Sequence, residues 1–215
     1  MEALLRISQH RPDREGGRGL AGQEGAMMLK GKLAIGALAL LFFFPFLASK
    51  ASDEKERKYF TDLTVIDQHG KALRFYSDVL KGRVVVISFI YTRCKAACPL
   101  TIQKLQQVKA QIPDLFGKEV FFVSISIDPE HDTPEDLRAF AEKLGAVGPG
   151  WIFLTGDKQS IETIVKRLGQ YTSSVEVHST LMLAGNLRTK HWIKLPPYLT
   201  PQIIALKVKD LAEEG

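Results

Sequence analysis

The apolar positions of this chain fall into short continuous runs and into spaced stripes. The runs read as strands and the stripes as helices. Residues 83–90 (RVVVISFI) and 119–127 (EVFFVSISI) are β-branched and aromatic almost throughout. Such runs predict two fully buried central strands. Ahead of them, 60–66 (FTDLTVI) and 72–76 predict a hairpin around the turn signal Asp67–Gly70. Between the two runs, Leu100, Ile102, Leu105, Val108 and Ile112 predict a helix over 100–112. Thr133-Pro134-Glu135-Asp136 combines a cap candidate, a first-turn proline and two acids, and predicts a helix to about Leu144. A strand at 151–155, a helix near 158–168 and two strands at about 175–183 and 188–194 follow. A last helix begins after Thr200-Pro201 and runs to the C-terminus.

Strands that alternate with helices predict an α/β domain with a mixed central sheet. Two strand–helix units, then a late hairpin and a final helix, give the element order of a thioredoxin-like fold. The hairpin at 60–76 is then an N-terminal β-hairpin extension of it. No internal repeat or low-complexity linker interrupts 52–215, which reads as one domain.

The first 51 residues have a different pattern. Residues 33–48 (LAIGALALLFFFPFLA) are uncharged, Lys30 and Lys32 precede them, and Ser49 and Ala51 follow. A positive start, an apolar middle and small residues at the exit define an export signal. Sixteen apolar residues are short for a span, which takes about 20. Residues 27–51 are therefore a signal peptide or a membrane anchor, and the domain is expected outside the cytoplasm, in a bacterial periplasm. Residues 1–26 are rich in Arg, Gly and Glu and lack periodicity, as a disordered extension does. Met27 and Met28 stand directly before the signal, so translation is expected to start there. Glu2, Asp13, Glu15 and Glu24 do not suit a mitochondrial transit peptide.

Charge removes one class of function. Residues 1–51 hold seven Lys or Arg and four Asp or Glu, which leaves 22 against 20 in the domain. With no basic run there, nucleic-acid binding has no support.

Two cysteines occur, Cys94 and Cys98, in CKAAC, just past one predicted strand and at the opening of a helix. A helix N-terminus carries unpaired amides and partial positive charge, which stabilise a thiolate, and Lys95 adds a cation. At i and i+4 on one helix face, both sulfurs can meet one ion. The pair can also cycle between dithiol and disulfide. Thiolate with imidazole suits copper or zinc. Four histidines lie in the domain: His69 in the first hairpin turn, His131 in a polar loop, His178 at the start of an apolar strand and His191 beside Trp192.

Four stretches resemble the Sco/SenC family. They are LTVIDQHGKALRFYSDVLKGRVVVISFIYTRC, the CKAACP motif, SIDPEHDTPEDL and VHSTLML, in that order over roughly 58–213. The resemblance implies a thioredoxin fold, export or a membrane anchor, and copper held by two cysteines and a histidine. It also implies a part in assembling the copper A centre of cytochrome c oxidase. Cys94 and Cys98 match the cysteine ligands, His178 the histidine, and Asp128 an acidic residue with a supporting role. The expected cargo is Cu(I), with Cu(II) admitted by the imidazole. The expected partner is the oxidase subunit that carries the copper A site, or another copper or thiol protein of the envelope.

Two positions depart from the family pattern. Lys95 follows the first cysteine where proline is usual, and Val177 precedes the histidine where an acid is common. Neither removes a ligand atom. The competing expectation is a thiol–disulfide oxidoreductase in which Cys94 and Cys98 are catalytic and keep a partner's copper-binding cysteines reduced. A peroxidase of the peroxiredoxin kind is disfavoured. Ile87 and Tyr91 stand where its pattern needs Pro and Thr or Ser.

Overall fold

The computed structural model describes residues 53–171 and 180–214. The expectations for 1–26 and 27–51, for His178 and for most of the strand at 175–183 lie outside the described residues. Among the described residues no helix is long and apolar enough to cross a membrane.

Seven strands form one mixed sheet. They are β1 (Thr64–Asp67), β2 (Ala72–Arg74), β3 (Val84–Ile90), β4 (Val120–Ser126), β5 (Trp151–Thr155), β6 (Met182–Asn186) and β7 (His191–Leu195), in the spatial order β2-β1-β5-β4-β3-β6-β7. β3 is buried at every position, as its unbroken apolar run requires. It pairs parallel with β4 from Val84↔Val120 to Ile90↔Ser126, and antiparallel with β6 from Val84↔Asn186 to Ile87↔Leu183. The late hairpin thus lies directly beside the strand that leads to the cysteines. The early hairpin β1–β2 extends the far edge by pairing antiparallel with β5.

Helices α2 (Ala97–Gln111), α3 (Pro134–Lys143) and α5 (Pro201–Glu213) cover one face, with Ile102, Leu105, Leu137, Ile204 and Val208 packed on Val84, Val86 and Ile90. The other face holds α1 (53–60), a π-helical turn Phe75–Leu80 and α4 (Lys158–Arg167), around Phe60, Phe75, Val85, Ile87 and Ile164. This is the expected α/β, thioredoxin-like arrangement.

Four boundaries differ from the sequence pattern. Residues 53–60 form α1, a helix that the sequence pattern did not predict. Its end is fixed at Thr61, whose φ of 72° is left-handed and whose amide bonds Arg57 O at 2.8 Å. The first strand therefore starts at Thr64, not at Phe60. The second stops at Arg74, where the Asp78 carboxylate takes the Arg74 amide at 2.8 Å and the chain coils. α2 starts at Ala97, three residues early. β6 runs Met182–Asn186 and the turn falls at 187–190, so the late hairpin lies further along the chain than its apolar run implied.

Candidate metal centre

Strand β3 ends at Ile90, and a short loop carries Tyr91, Thr92, Arg93 and Cys94 to the start of α2. The loop is pinned by a buried carboxylate. Asp132 is 1% exposed and accepts from the Thr92 amide at 3.1 Å, the Thr92 hydroxyl at 2.6 Å and the Ser126 hydroxyl at 2.5 Å. The loop after β3 is thereby tied to the end of β4. A buried carboxylate persists only when its oxygens are satisfied in this way.

Only Cys98 lies within the helix. Cys94 sits three residues before its first turn and folds back over it, so the two are not stacked on one helix face as the i, i+4 spacing implied. The cap residue Ala96 has no side-chain acceptor to offer. The Cys94 sulfur fills that role, accepting the Cys98 amide at 3.3 Å. Both side chains are nearly buried, Cys94 at 9% and Cys98 at 1%, and both are free thiols.

This geometry separates their acidities. Burial raises the Cys94 pKa, but the Cys98 amide and thiol, the Ala96 amide and the Tyr91 hydroxyl donate to its sulfur. Together they outweigh burial and hold the thiol below its usual value. Lys95 is exposed and is not among those donors. For Cys98, burial also raises the pKa and is not outweighed; donation to Cys94 adds to it, pushing the thiol up to about 12. Cys94 is thus the more acidic thiol of the pair and Cys98 the less acidic one.

Asp128 follows β4 and is 7% exposed. It joins Arg93 Nη2 at 2.5 Å and His131 Nδ1 at 2.7 Å, and its amide donates to Ser126 Oγ at 3.1 Å. Burial raises its pKa, but Arg93 and then His131 outweigh that and lower it. Asp128 therefore acts on the residue next to Cys94. His131, read from sequence as a loop residue, belongs to this cluster. Arg93, Thr92, Ser126 and Asp132 were not singled out in the sequence. Two aspartates flanking a histidine in DPEHD, just after a buried strand, were the available signal. His69 lies in the β1–β2 turn, and His191 Nδ1 meets Glu214 at 2.7 Å. Among the described residues no group of three His, Cys, Asp or Glu side chains converges on one point. The described site supplies two sulfurs, and the expected third ligand, His178, lies outside the described residues. Two thiol sulfurs at a helix N-terminus are soft donors that suit Cu(I).

Residues 51–191 match the SCO1/SenC family. The chain belongs to this family. It is 31% identical to the SCO2-like protein of Rickettsia conorii over 148 residues, which is 66% of this chain and 69% of that one. The chain spans about half the length of several other curated relatives that it matches. The structure of ScoI from Bradyrhizobium japonicum with copper bound aligns with TM-score 0.56 and 26% identity, over 69% of this chain and 96% of that one. A structure described as revealing a disulfide switch in BsSco, a member of the Sco family of cytochrome c oxidase assembly proteins, aligns with TM-score 0.61 and 26% identity, over 73% and 94%.

Proposed function

We propose that this chain binds copper through Cys94, Cys98 and His178 and delivers it to the copper A centre of a cytochrome c oxidase, or matures that centre. The carrying observation is the Cys94 sulfur at the N-terminus of α2. Amide and thiol donors make it the more acidic of the two sulfurs, and the second sulfur lies directly beside it. Soft sulfur donors at a nearly buried, strand-anchored position suit Cu(I), and the imidazole of His178 completes three-coordination. The Bradyrhizobium relative solved with copper bound supports the same cargo. Loading releases the Cys98 proton, since metal binds the thiolate. Delivery is ligand exchange, in which the partner's thiolates replace Cys94 and Cys98 one at a time. Asp128 supports the site by holding Arg93 beside Cys94. The domain, 52–215, works outside the cytoplasm, and 33–48 anchors or exports it. A neighbour of known structure is described as a lipoprotein, which agrees with an envelope location.

The split in acidity supports a second reading, a thiol–disulfide reductase. In it the Cys94 thiolate attacks a partner disulfide and the first partner thiolate leaves. Cys98 then gives up its proton, and its sulfur attacks Cys94 in the mixed disulfide. The partner departs as a dithiol, and the chain holds a Cys94–Cys98 disulfide. The description of a disulfide switch in BsSco favours keeping this reading in view.

An anaerobic Cu(I) titration of the reduced domain against a competing chelator separates the two. The expected result is one tight equivalent, lost in both His178→Ala and Cys98→Ser. Binding indifferent to His178, with a fast and reversible Cys94–Cys98 couple, would establish the reductase instead.

A further inference from the structure

The acids of the loop after β4 share the nearby cations unequally. Asp128 takes Arg93 and His131, and Glu130 takes Lys158. Asp132 takes none. Among the described residues its carboxylate is met only by the Thr92 amide, the Thr92 hydroxyl and the Ser126 hydroxyl, all uncharged. At 1% exposure it is also shut off from bulk solvent. Neutral donors make a buried carboxylate tolerable without cancelling its charge. Nor do these bonds need the charge, since an amide oxygen accepts equally well.

The charge lies within reach of the sulfurs. Ser126 stands opposite Ile90 in the β3–β4 ladder, and Ile90 belongs to the core cluster that contains Cys94 and Cys98. Thr92 is two residues before Cys94. After burial, the bond to Cys94 and the charge of Cys94, the charge of Asp132 is a further cause that keeps the proton on Cys98. Two sulfurs and one carboxylate without a counter-cation therefore share a buried region, where a charge acts more strongly than in water.

We infer that Asp132 sets the charge selectivity of the sulfur pair: as a fixed negative charge beside the donors, it favours a divalent ion over a monovalent one. The inference deepens the copper reading and rests on it for the identity of the cargo. The sign follows from the charges of the complexes. Two thiolates and a neutral imidazole around Cu(I) carry one net negative charge, which Asp132 repels. The same donors around a divalent ion are neutral, and Asp132 has no net charge to act on. If Cys94 has already lost its proton, the monovalent complex keeps the charge of the free site and the divalent one cancels it. The difference between the two ions is the same in either case. The carboxylate thereby lowers the hold on Cu(I) relative to Cu(II).

The test compares Cu(I) with Cd(II), a divalent ion that does not oxidise thiols, by chelator competition on the reduced protein at one pH. Asp132→Asn removes the charge and keeps an acceptor oxygen, and the Thr92 and Ser126 hydroxyls can turn to accept from its amide group. It should move the ratio of the two affinities roughly tenfold toward Cu(I). Thr92→Val keeps the charge and removes one bond to it, so it should change both affinities together and leave their ratio as it was. An unmoved ratio in Asp132→Asn, or an equal move in Thr92→Val, would overturn the inference and leave Asp132 with its structural role alone. If Asp132→Asn does not fold, Asp132→Ser carries the same expectation. A second readout needs no metal. At about pH 9, with Cys94 held below its usual value and so ionised, the reduced pair is charged and the disulfide is not. Asp132→Asn should then make the Cys94–Cys98 couple easier to reduce in a thiol–disulfide buffer. Native protein that binds neither ion tightly would overturn the copper reading. The couple then decides on Asp132 by itself, and an unchanged potential would overturn the inference, so the two failures are told apart.

Discussion

At the scale of residues, the two cysteines differ because Cys94 collects hydrogen bonds, while Cys98 donates to it through both amide and thiol and is more deeply buried. Iodoacetamide should therefore label Cys94 first in reduced, metal-free protein, with a pH midpoint below the ordinary thiol value of about 8.5. Mass spectrometry of the quenched protein reads the order, and prior labelling of Cys98 would contradict the assignment. Asp128 gives a second prediction. Arg93 and His131 keep it ionised to lower pH in the fold than in the unfolded chain, where the value is about 3.9. A depressed folded pKa contributes stability that is present above the unfolded value and lost as pH falls through the folded one. The stability advantage of the native protein over Asp128→Asn should be constant above about pH 5 and shrink below about pH 4. Denaturant midpoints across that range measure it, and an advantage that grows on acidification would refute the pairing. The cysteines were legible in the sequence because a lone pair of soft side chains at the end of a buried strand is conspicuous there, whereas Asp128 was reached only through the family resemblance. The hold of Asp132 on Thr92 and Ser126 was not, because it depends on the path by which two loops meet.

Elements with strong local signals were legible in sequence. The buried runs of β3 and β4 and the proline starts of α3 and α5 stand within a residue or two of where the pattern put them. Thr133 shows why. Its hydroxyl accepts the Asp136 amide at 3.2 Å, and Asp136 returns a bond to the Thr133 amide at 3.0 Å, closing a capping box. Thr133→Ala should cost about 1 kcal/mol, measured by denaturant unfolding, and no measurable loss would show the box to be idle. α1 was not legible, because its sequence is charge-rich and only Tyr59 and Phe60 give it an apolar end. Tertiary bonds hold it instead, with the Asp53 carboxylate accepting from the Tyr76 hydroxyl at 2.7 Å and from Lys81 Nζ at 2.7 Å. The late hairpin was placed too early in the chain, with its strands at about 175–183 and 188–194, whereas β6 is Met182–Asn186. Gly185 is a point of close approach within β6. A Cβ there would lie 2.4 Å from the Trp192 ring. Gly185→Ala should displace Trp192 and cost about 1–3 kcal/mol by overpacking, seen as a lower thermal midpoint with changed tryptophan fluorescence.

Across the whole molecule, the sheet keeps two regions apart. The cysteine loop leaves the C-terminal end of β3. α1 packs near the other end, where Phe60 stacks on Tyr76 with ring centres 6.4 Å apart and meets Trp192 at 5.2 Å. Lys190, in the β6–β7 turn, pairs with Glu56 at 2.8 Å. The seven residues of β3 separate these regions by about 23 Å. Sites that far apart with no shared partners contribute independently. Phe60 is 5% exposed, so Phe60→Ala should cost about 3 kcal/mol or more by emptying its place beneath α1. Hydrogen exchange should show α1 opening ahead of β3 and β4, whose ladders are buried on both faces. Cu(I) affinity should nevertheless stay within about twofold of the native protein, because among the described residues the bonds that hold Cys94 and Asp132 do not involve Phe60. A parallel loss of affinity and stability would show instead that the helix beside the N-terminal segment is coupled to the metal loop through β3. The attachment of the chain would then bias its cargo site, an outcome that only the combined measurement of unfolding and Cu(I) competition on one variant can expose.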